Sequence, residues 1–424
     1  MTSFAELKHF CALDWACDHH DVMVLDALGK QLATFRFEES AAGWTSFRER
    51  MRTYPAAGFA VETNRGWVIE RLLEADLTVF PVPPQQAKAF RARFSTSGAK
   101  DDLFDAFALA DALRVDGHLF RPLRPEDPLT QELRLLCRDE VVLIDERTAK
   151  IHQLTAALRE YYPAALEAFE DWTAPSAWDF VLTFPTPKAL QNAGRRKHEK
   201  FLHAHQLARS PERYRARLAA FAKAASFCGG PAATAAKSLL AVSMAKVLRT
   251  LEAQLNEYRK RIQELFDQHP DSFIFQSLPH SGAKLRPRLL SELGTQRDVF
   301  PDAPSVQCYA GTAPVTKRSG KSAWILFRRA CNKHFRHAVH LWASEWITQP
   351  NWGQIYYRAH REKGCSHADA LRRLGNRLLK ILWRLWHDRK AYDPNVHQAN
   401  QLKHGSWLLQ LVPTPQLSTP KTEL

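Results

Sequence analysis

The order of apolar runs between Cys11 and Pro83 constrains this 424-residue chain more than any other feature. "CALDWAC", "DVMVLDA" and "QLATFRF" each alternate or run apolar, and "ALGK" between the second and third supplies a turn at Gly29, so three meandering strands are predicted. "GWTSFRERMRT" then has helical spacing, "GFAVET" is a short strand, "GWVIERLLEAD" is helical, and "LTVFPVPP" is a strand stopped by prolines. The segment "AKDDLFDAFALAD", Ala99 to Asp111, closes the series as a helix.

This is the order of an RNase H-like α/β domain, expected over residues 1–127. After "RPLRPEDP" the pattern changes to long helical segments, giving a helical or coiled-coil region over 128–270. Within it Leu240, Val247, Leu251, Leu255, Tyr258, Ile262 and Leu265 recur every three, four or seven residues, which suits internal core packing and dimerisation equally. A mainly α-helical third region, 271–424, opens on "SLPHSGAKLRPRLLSELG". Its turn at Gly282 is either a helix-hairpin-helix-like phosphate contact or a plain interhelical turn. Near the end Leu371, Leu374, Leu378, Leu382 and Leu385 form one apolar stripe of an amphipathic helix with basic residues opposite.

Lys and Arg number 59 against 45 Asp and Glu, a net charge of +14. Such a surplus faces a polyanion when concentrated in patches: nucleic acid first, an acidic membrane surface second. No segment has the apolar length to cross a bilayer, so an intracellular protein is expected. The seven cysteines are widely spread without a CxxC pair, which argues against a disulfide framework or zinc ribbon and for buried free thiols.

Against this basic background several acids are oddly placed. Asp14 interrupts the first strand and Glu62 ends the fourth, and a charge on a central strand needs a partner because burying it alone is costly. On the closing helix Asp102 and Asp105 lie three apart and Asp101 and Asp105 four apart, so spacing permits either pair on one face. Asp101 suits an N-cap and Asp111 a solvated charge. In an RNase H-like order Asp14, Glu62, Asp102 and Asp105 converge as an all-oxygen cage for Mg²⁺ or Mn²⁺. "CDHHD", Cys17 to Asp21, matches no zinc spacing, and strand alternation splits its side chains between two faces.

From Ala303 to Ser344 there is no Asp or Glu, but Lys317, Arg318, Lys321, Arg328, Arg329, Lys333 and Arg336 are present, the pattern of a phosphate-contacting surface. In its middle, "YAGTAPVTKRSGKSAW" sets Ser319 and Ser322 around a turn at Gly320. A serine hydroxyl needs a base, metal or cation to become a nucleophile. Alternatively the loop only binds phosphate. Trp324, Phe327 and Phe335 are either nucleic-acid contacts or core.

These pieces together resemble the DEDD-type transposases of the IS-one-ten insertion sequences, which are relatives of the Piv-type DNA invertases and are understood as bridge-RNA-guided recombinases. The matching stretches are "LDWA" with Asp14, "VETNRG" with Glu62, "AKDDLFDA" with Asp102 and Asp105, "SLPHSGAKLRPRLLSELG" and "YAGTAPVTKRSGKS". They cover nearly the whole chain in order, the middle helices matching in character only. The family's "KTDxxDA" reads Lys100 to Ala106 here, with Asp101 where threonine is common, so the resemblance excludes Asp101 as a ligand.

The resemblance implies a RuvC-like N-terminal domain, a coiled coil for assembly and a C-terminal transposase domain with a nucleophilic serine. Ser319 matches the serine position best and Ser322 is the reserve. The implied reaction is strand exchange between donor and target DNA through a phosphoserine link, with Mg²⁺ or Mn²⁺ held by Asp14, Glu62, Asp102 and Asp105. Because acids and serine belong to distant domains, a homodimer pairing into a homotetramer is expected, with a noncoding bridge RNA reading both DNAs, in the bacterial cytoplasm at the nucleoid. The rival readings are a RuvC-like hydrolytic endonuclease, an invertase without an RNA guide, and a non-enzymatic nucleic-acid-binding module.

Overall fold

The computed structural model describes residues 3–64, 66–94, 102–224 and 226–407; Asp101, read above as a capping charge, lies outside the described residues. The chain divides into two compact units, Met1–Pro125 and Glu126–Leu424. The first is a mixed α/β unit and the second is largely helical.

The first unit is built on strands β1 (His9–Trp15), β2 (His19–Leu25), β3 (Gln31–Glu38), β4 (Ala57–Val61) and β5 (Thr78–Pro81), in the order β3-β2-β1-β4-β5. β1, β2 and β3 form an antiparallel meander, and β4 pairs parallel with both β1 and β5. Asp26 shapes the turn into β3 by accepting from the backbone N–H groups of Leu28 and Lys30, both at 2.9 Å, while Gly29 takes the positive φ of 84°. Helices α1 (Ala41–Met51), α2 (Trp67–Glu74), α3 (Pro84–Arg91) and α4 (Asp102–Asp116) complete the unit.

Strand alternation decides which helix covers which face. Cys11, Leu13, Val22, Val24, Phe59 and Val61 share a core with Trp44 and Phe47 of α1 and Val68, Ile69 and Leu72 of α2. Their strand neighbours Phe10, Ala12, Met23, Leu25 and Ala60 share the opposite core with Ala106, Leu109, Ala110 and Leu113 of α4. Helix α3 was absent from the sequence expectation. The prolines that stop β5 also start it, because Pro84 sits in the first turn, where a missing N–H costs nothing. A second correction concerns Asp111: it is 7% exposed and ion-paired with Arg114 at 2.6 Å, and so is not a solvated charge. Helix α4 is buried on nearly every side, leaving no solvated face for it.

In the second unit, α5 (Pro128–Tyr161) is followed by α6 (Pro163–Ala168), α7 (Pro175–Thr183), α8 (Pro187–Ala204), α9 (Pro211–Lys223) and α10 (Pro231–Gln268). Helices α5 and α10, of 34 and 38 residues, run antiparallel, as the ion pairs Glu132–Arg261, Glu140–Arg259, Arg147–Glu252 and Glu160–Lys237 require. Leu251, Leu255, Ile262 and Leu265 of the periodic series are buried within this chain, whereas Leu240 and Val247 remain exposed. One core gathers around Trp178, Phe180, Phe201 and Phe221, between the connecting helices and one end of the long pair.

The other core joins the opposite end of that pair to α11 (Ser272–Gln276), α12 (Gly282–Leu293), α13 (Ala303–Tyr309), α14 (Lys333–Glu345), α15 (Trp352–Glu362) and α16 (His367–Asp388), with α17 (Pro394–Lys403) following. The expected stripe on α16 is seated here: Leu371, Leu374, Leu378 and Leu382 are buried and Leu385 partly so. Strands β6 (Val315–Ser319) and β7 (Ser322–Leu326) form a separate two-stranded hairpin. Cys11 and Cys137 are buried, but Cys17 and Cys228 are exposed, correcting the expectation of buried thiols throughout. Among the described residues no helix is long and apolar enough to cross a membrane.

Candidate active site

The alternation that seats Ala12 against α4 carries Asp14, two residues on, to the same face at the end of β1. Glu62, two residues beyond Ala60, leaves β4 on that face as well. Asp102 and Asp105 occupy the first turn of α4, one helical neighbour apart. Burial, then the negative charges of Asp102, Asp105 and Glu62, push the Asp14 carboxyl up to about 6. Asp102, Asp105 and Glu62 therefore lie near enough to Asp14 to act on it electrostatically.

Sequence reasoning missed two further members of this face. Asp21 lies directly across the antiparallel register from Asp14 and adds to the same repulsion. It is tied to Arg36 on β3 by contacts of 3.0 Å to Nε and 2.7 Å to Nη2. The meander itself carried the signal, since pairing "LDWA" with "HHDV" across a short turn sets these aspartates opposite each other. The second is Arg91, the last residue of α3, whose Nη1 lies 2.5 Å from Asp105 Oδ2 and Nη2 3.3 Å from Glu62 Oε1. No spacing rule distinguishes it from its neighbours in "FRARF".

Among the described residues no three His, Cys, Asp or Glu side chains stand close enough to enclose a metal ion. The Arg91 guanidinium spans Glu62 and Asp105. The donor set nonetheless suits Mg²⁺ or Mn²⁺, being all carboxylate oxygen with more negative charge than Arg91 neutralises. Nor does "CDHHD" form a site. His19 pairs with Asp18, while His20 turns to the other face and meets Glu39 at 2.7 Å. Glu39 also accepts from the indoles of Trp44 and Trp67, each at 2.9 Å.

The serines sit on the β6–β7 hairpin in the second unit. The register pairs Val315 with Leu326, Lys317 with Trp324 and Ser319 with Ser322, so both hydroxyls share a face with Lys317 and Trp324. Gly320 takes φ 54° in the turn, with open space around it. Every residue from Thr316 to Phe327 is exposed, and among the described residues neither serine hydroxyl has a hydrogen-bond partner.

The seven basic candidates divide into two groups. Lys317, Arg318, Lys321, Arg329 and Lys333 are exposed. Arg328 instead braces the hairpin base, donating from Nε to the Ala313 carbonyl at 3.1 Å. Arg336 and Arg372 both stack on Phe327 at 5.1 Å. Trp324 is 55% exposed, whereas Phe335 is core. Near Gly282, Ser281 is buried and bonded to the Leu278 carbonyl at 2.7 Å and to Arg286 at 3.1 Å.

Comparison with known proteins matches both parts of the chain, the first match running on from the α/β unit through α5. Residues 11–163 match the DEDD transposase family of IS110, and residues 273–358 match the family described as Transposase IS116/IS110/IS902. The chain is 31% identical over 396 residues to the mini-circle putative transposase for IS117 of Streptomyces coelicolor, covering 91% of this chain and 96% of that protein. It is also 26% identical over 382 residues to the IS900 uncharacterized 42 kDa protein of Mycobacterium paratuberculosis, covering 88% and 94%. The IS116 uncharacterized 44.8 kDa protein of Streptomyces clavuligerus is 24% identical over 386 residues, covering 90% and 95%.

Proposed function

This chain belongs to the IS110 transposase family and is a DNA transposase, and from that premise we propose that it exchanges strands through Ser319 with Asp14, Glu62, Asp102 and Asp105 as its metal-binding acids. The observation that carries the reading is the convergence of charge on Asp14, whose carboxyl is raised by burial and by those three acids. The β3-β2-β1-β4-β5 order, with its antiparallel meander and two parallel additions, supports a RuvC-like fold for this unit.

In the proposed reaction the Ser319 oxygen attacks a DNA phosphorus and the bond from phosphorus to the leaving sugar oxygen breaks. The leaving oxygen takes up a proton as the serine loses one. The incoming strand's hydroxyl then attacks the phosphoserine and Ser319 leaves, so one phosphodiester is exchanged for another without hydrolysis. Exposed Lys317, Arg318, Lys321, Arg329 and Lys333 grip backbone phosphates, which fixes position without reading sequence. Bound Mg²⁺ or Mn²⁺ would supply charge neutralisation at the phosphate and the displaced oxygen. Asp14, Glu62, Asp102 and Asp105 would hold it.

Phosphate-gripping residues of this kind leave sequence choice to another component, assigned here to a noncoding RNA from the same element that pairs with donor and target DNA. The working assembly is a homodimer that pairs into a homotetramer on those DNAs. One observation favours a second reading: Ser319 has no hydrogen-bonded base among the described residues, as a hydrolytic nuclease with a phosphate-gripping hairpin would also have it.

Duplex DNA taken from the flanks of the gene, with the adjoining noncoding transcript, tests the proposal. Asp102→Asn should bind DNA normally and lose cleavage. Ser319→Ala should lose both cleavage and covalent attachment, while Ser322→Ala keeps them. Normal cleavage by Ser319→Ala would establish the hydrolytic reading instead.

A further inference from the structure

Arg91 is, among the described residues, the one cation paired with any of the four acids. Three other arginines of this unit are committed elsewhere: Arg36 to Asp21, Arg93 to Asp116 and Arg114 to Asp111. Asp14 and Asp102 have no ion pair among the described residues. Among the described residues the four acids thus meet a single guanidinium by ion pairing, which touches only Glu62 and Asp105, while Asp21 on the same face has Arg36 as its own partner.

Two physical demands meet at this guanidinium. Asp105 is only 6% exposed, and an ionised carboxylate at that depth without a partner is strongly unfavourable. Arg91 meets that demand and therefore supports the metal-free fold. A hard divalent cation needs the same oxygens at about 2.0–2.2 Å from one centre. A guanidinium inserted between Glu62 and Asp105, with nitrogens at 3.3 and 2.5 Å from them respectively, keeps those oxygens apart and lends positive charge to the place a cation would take.

We propose that Arg91 is a positioning residue that substitutes for the metal: it holds Glu62 and Asp105 at the site while no metal is bound, and releases them when a divalent cation enters. It thereby sets the metal affinity of the chain. The inference rests on reading the four acids as a metal site and adds to it the residue that competes for them. Its consequence separates it from an ordinary structural arginine. Removing a structural arginine lowers both stability and ligand affinity, whereas removing Arg91 lowers the stability of the metal-free protein and raises its affinity for metal.

The experiment is a Mn²⁺ titration of the full-length protein, read as loss of the free-ion electron paramagnetic resonance signal, beside thermal unfolding in EDTA. Arg91→Gln should unfold at a lower temperature in EDTA yet bind Mn²⁺ on the order of tenfold more tightly than wild type. Arg91→Lys, which keeps the charge without the fork, should fold well and shift binding in the same direction by less, so the test survives if the glutamine variant does not fold. Unchanged or weaker binding in both variants, with wild-type binding abolished by Asp105→Asn, would overturn the role of Arg91 and leave the metal site standing. Absence of Mn²⁺ binding in wild type and variants alike would overturn both.

Discussion

The buried carboxylates of the helical unit and the half-buried Asp14 of the α/β unit keep opposite company, whereas Asp21, Asp105 and Asp111 of the α/β unit each have an arginine partner. In the helical unit Glu292 is 3% exposed and takes a two-point contact from Arg138, 2.7 Å to Nε and 2.8 Å to Nη2, plus Asn332 at 2.7 Å. Burial alone would raise its pKa, but Arg138 and Asn332 hold it below the usual range. Glu140 is met by Arg288 at 2.7 Å and Asp271 by Arg297 at 2.7 Å. In the α/β unit Asp14 has acids for neighbours and is pushed up to about 6. The difference teaches that a satisfied buried acid fastens helices together, while an unsatisfied group of them stores a demand for a cation.

Substitutions should split along this line, and the largest effect belongs to the unsatisfied set. Asp14→Asn and Asp102→Asn should each reduce strand transfer about a thousandfold or more, since a residue that acts as part of a catalytic unit removes most of that unit's effect. In EDTA the same Asp14→Asn should unfold at an equal or higher temperature than wild type, because it relieves repulsion. Lower stability in that variant would break the comparison. Glu292→Gln is the converse case: it leaves the half-buried Arg138 beside a neutral amide and should cost about 1–3 kcal/mol in urea unfolding of the helical unit.

The pH dependence should also differ in sign. Asp14 has a raised folded pKa, so its contribution to stability is full below the ordinary aspartate range and is lost as pH rises through about 6. Glu292 has a lowered one, so its contribution is present above the ordinary glutamate range and is lost as pH falls. Unfolding midpoints measured in EDTA between pH 4 and 7 should show the α/β transition falling with pH and the helical transition rising, with Asp14→Asn flattening the first. The smallest effect is expected at Asp111→Asn, about 1 kcal/mol, because Arg114 stays partly exposed and keeps its contact with the Ala27 carbonyl at 3.4 Å.

The acids were legible in the sequence for a reason that Asp111 and Arg91 do not share. Asp14 and Glu62 break apolar central strands, where period-two alternation fixes their face, and α4 follows in the order that brings Asp102 and Asp105 to it. Asp111 sits on a helix enclosed on nearly all sides, so no apolar stripe showed which way it points. Arg91 depends on α3, a short helix started by the prolines that had signalled only an end to β5. On the C-terminal side the turn at Gly320 was visible from composition. The hairpin register that puts Ser319, Ser322, Lys317 and Trp324 on one face needed the paired strands.

The most direct test of the account is the chemical identity of the protein–DNA bond. After reaction with a nicked suicide duplex from the element's terminus, in the presence of the noncoding transcript and Mg²⁺, the DNA-linked peptide should be recovered and sequenced by mass spectrometry. A phosphodiester link on Ser319, absent from Ser319→Ala and from Asp102→Asn, is the predicted result. Attachment to any other residue, or complete cleavage with no attached peptide, would contradict it.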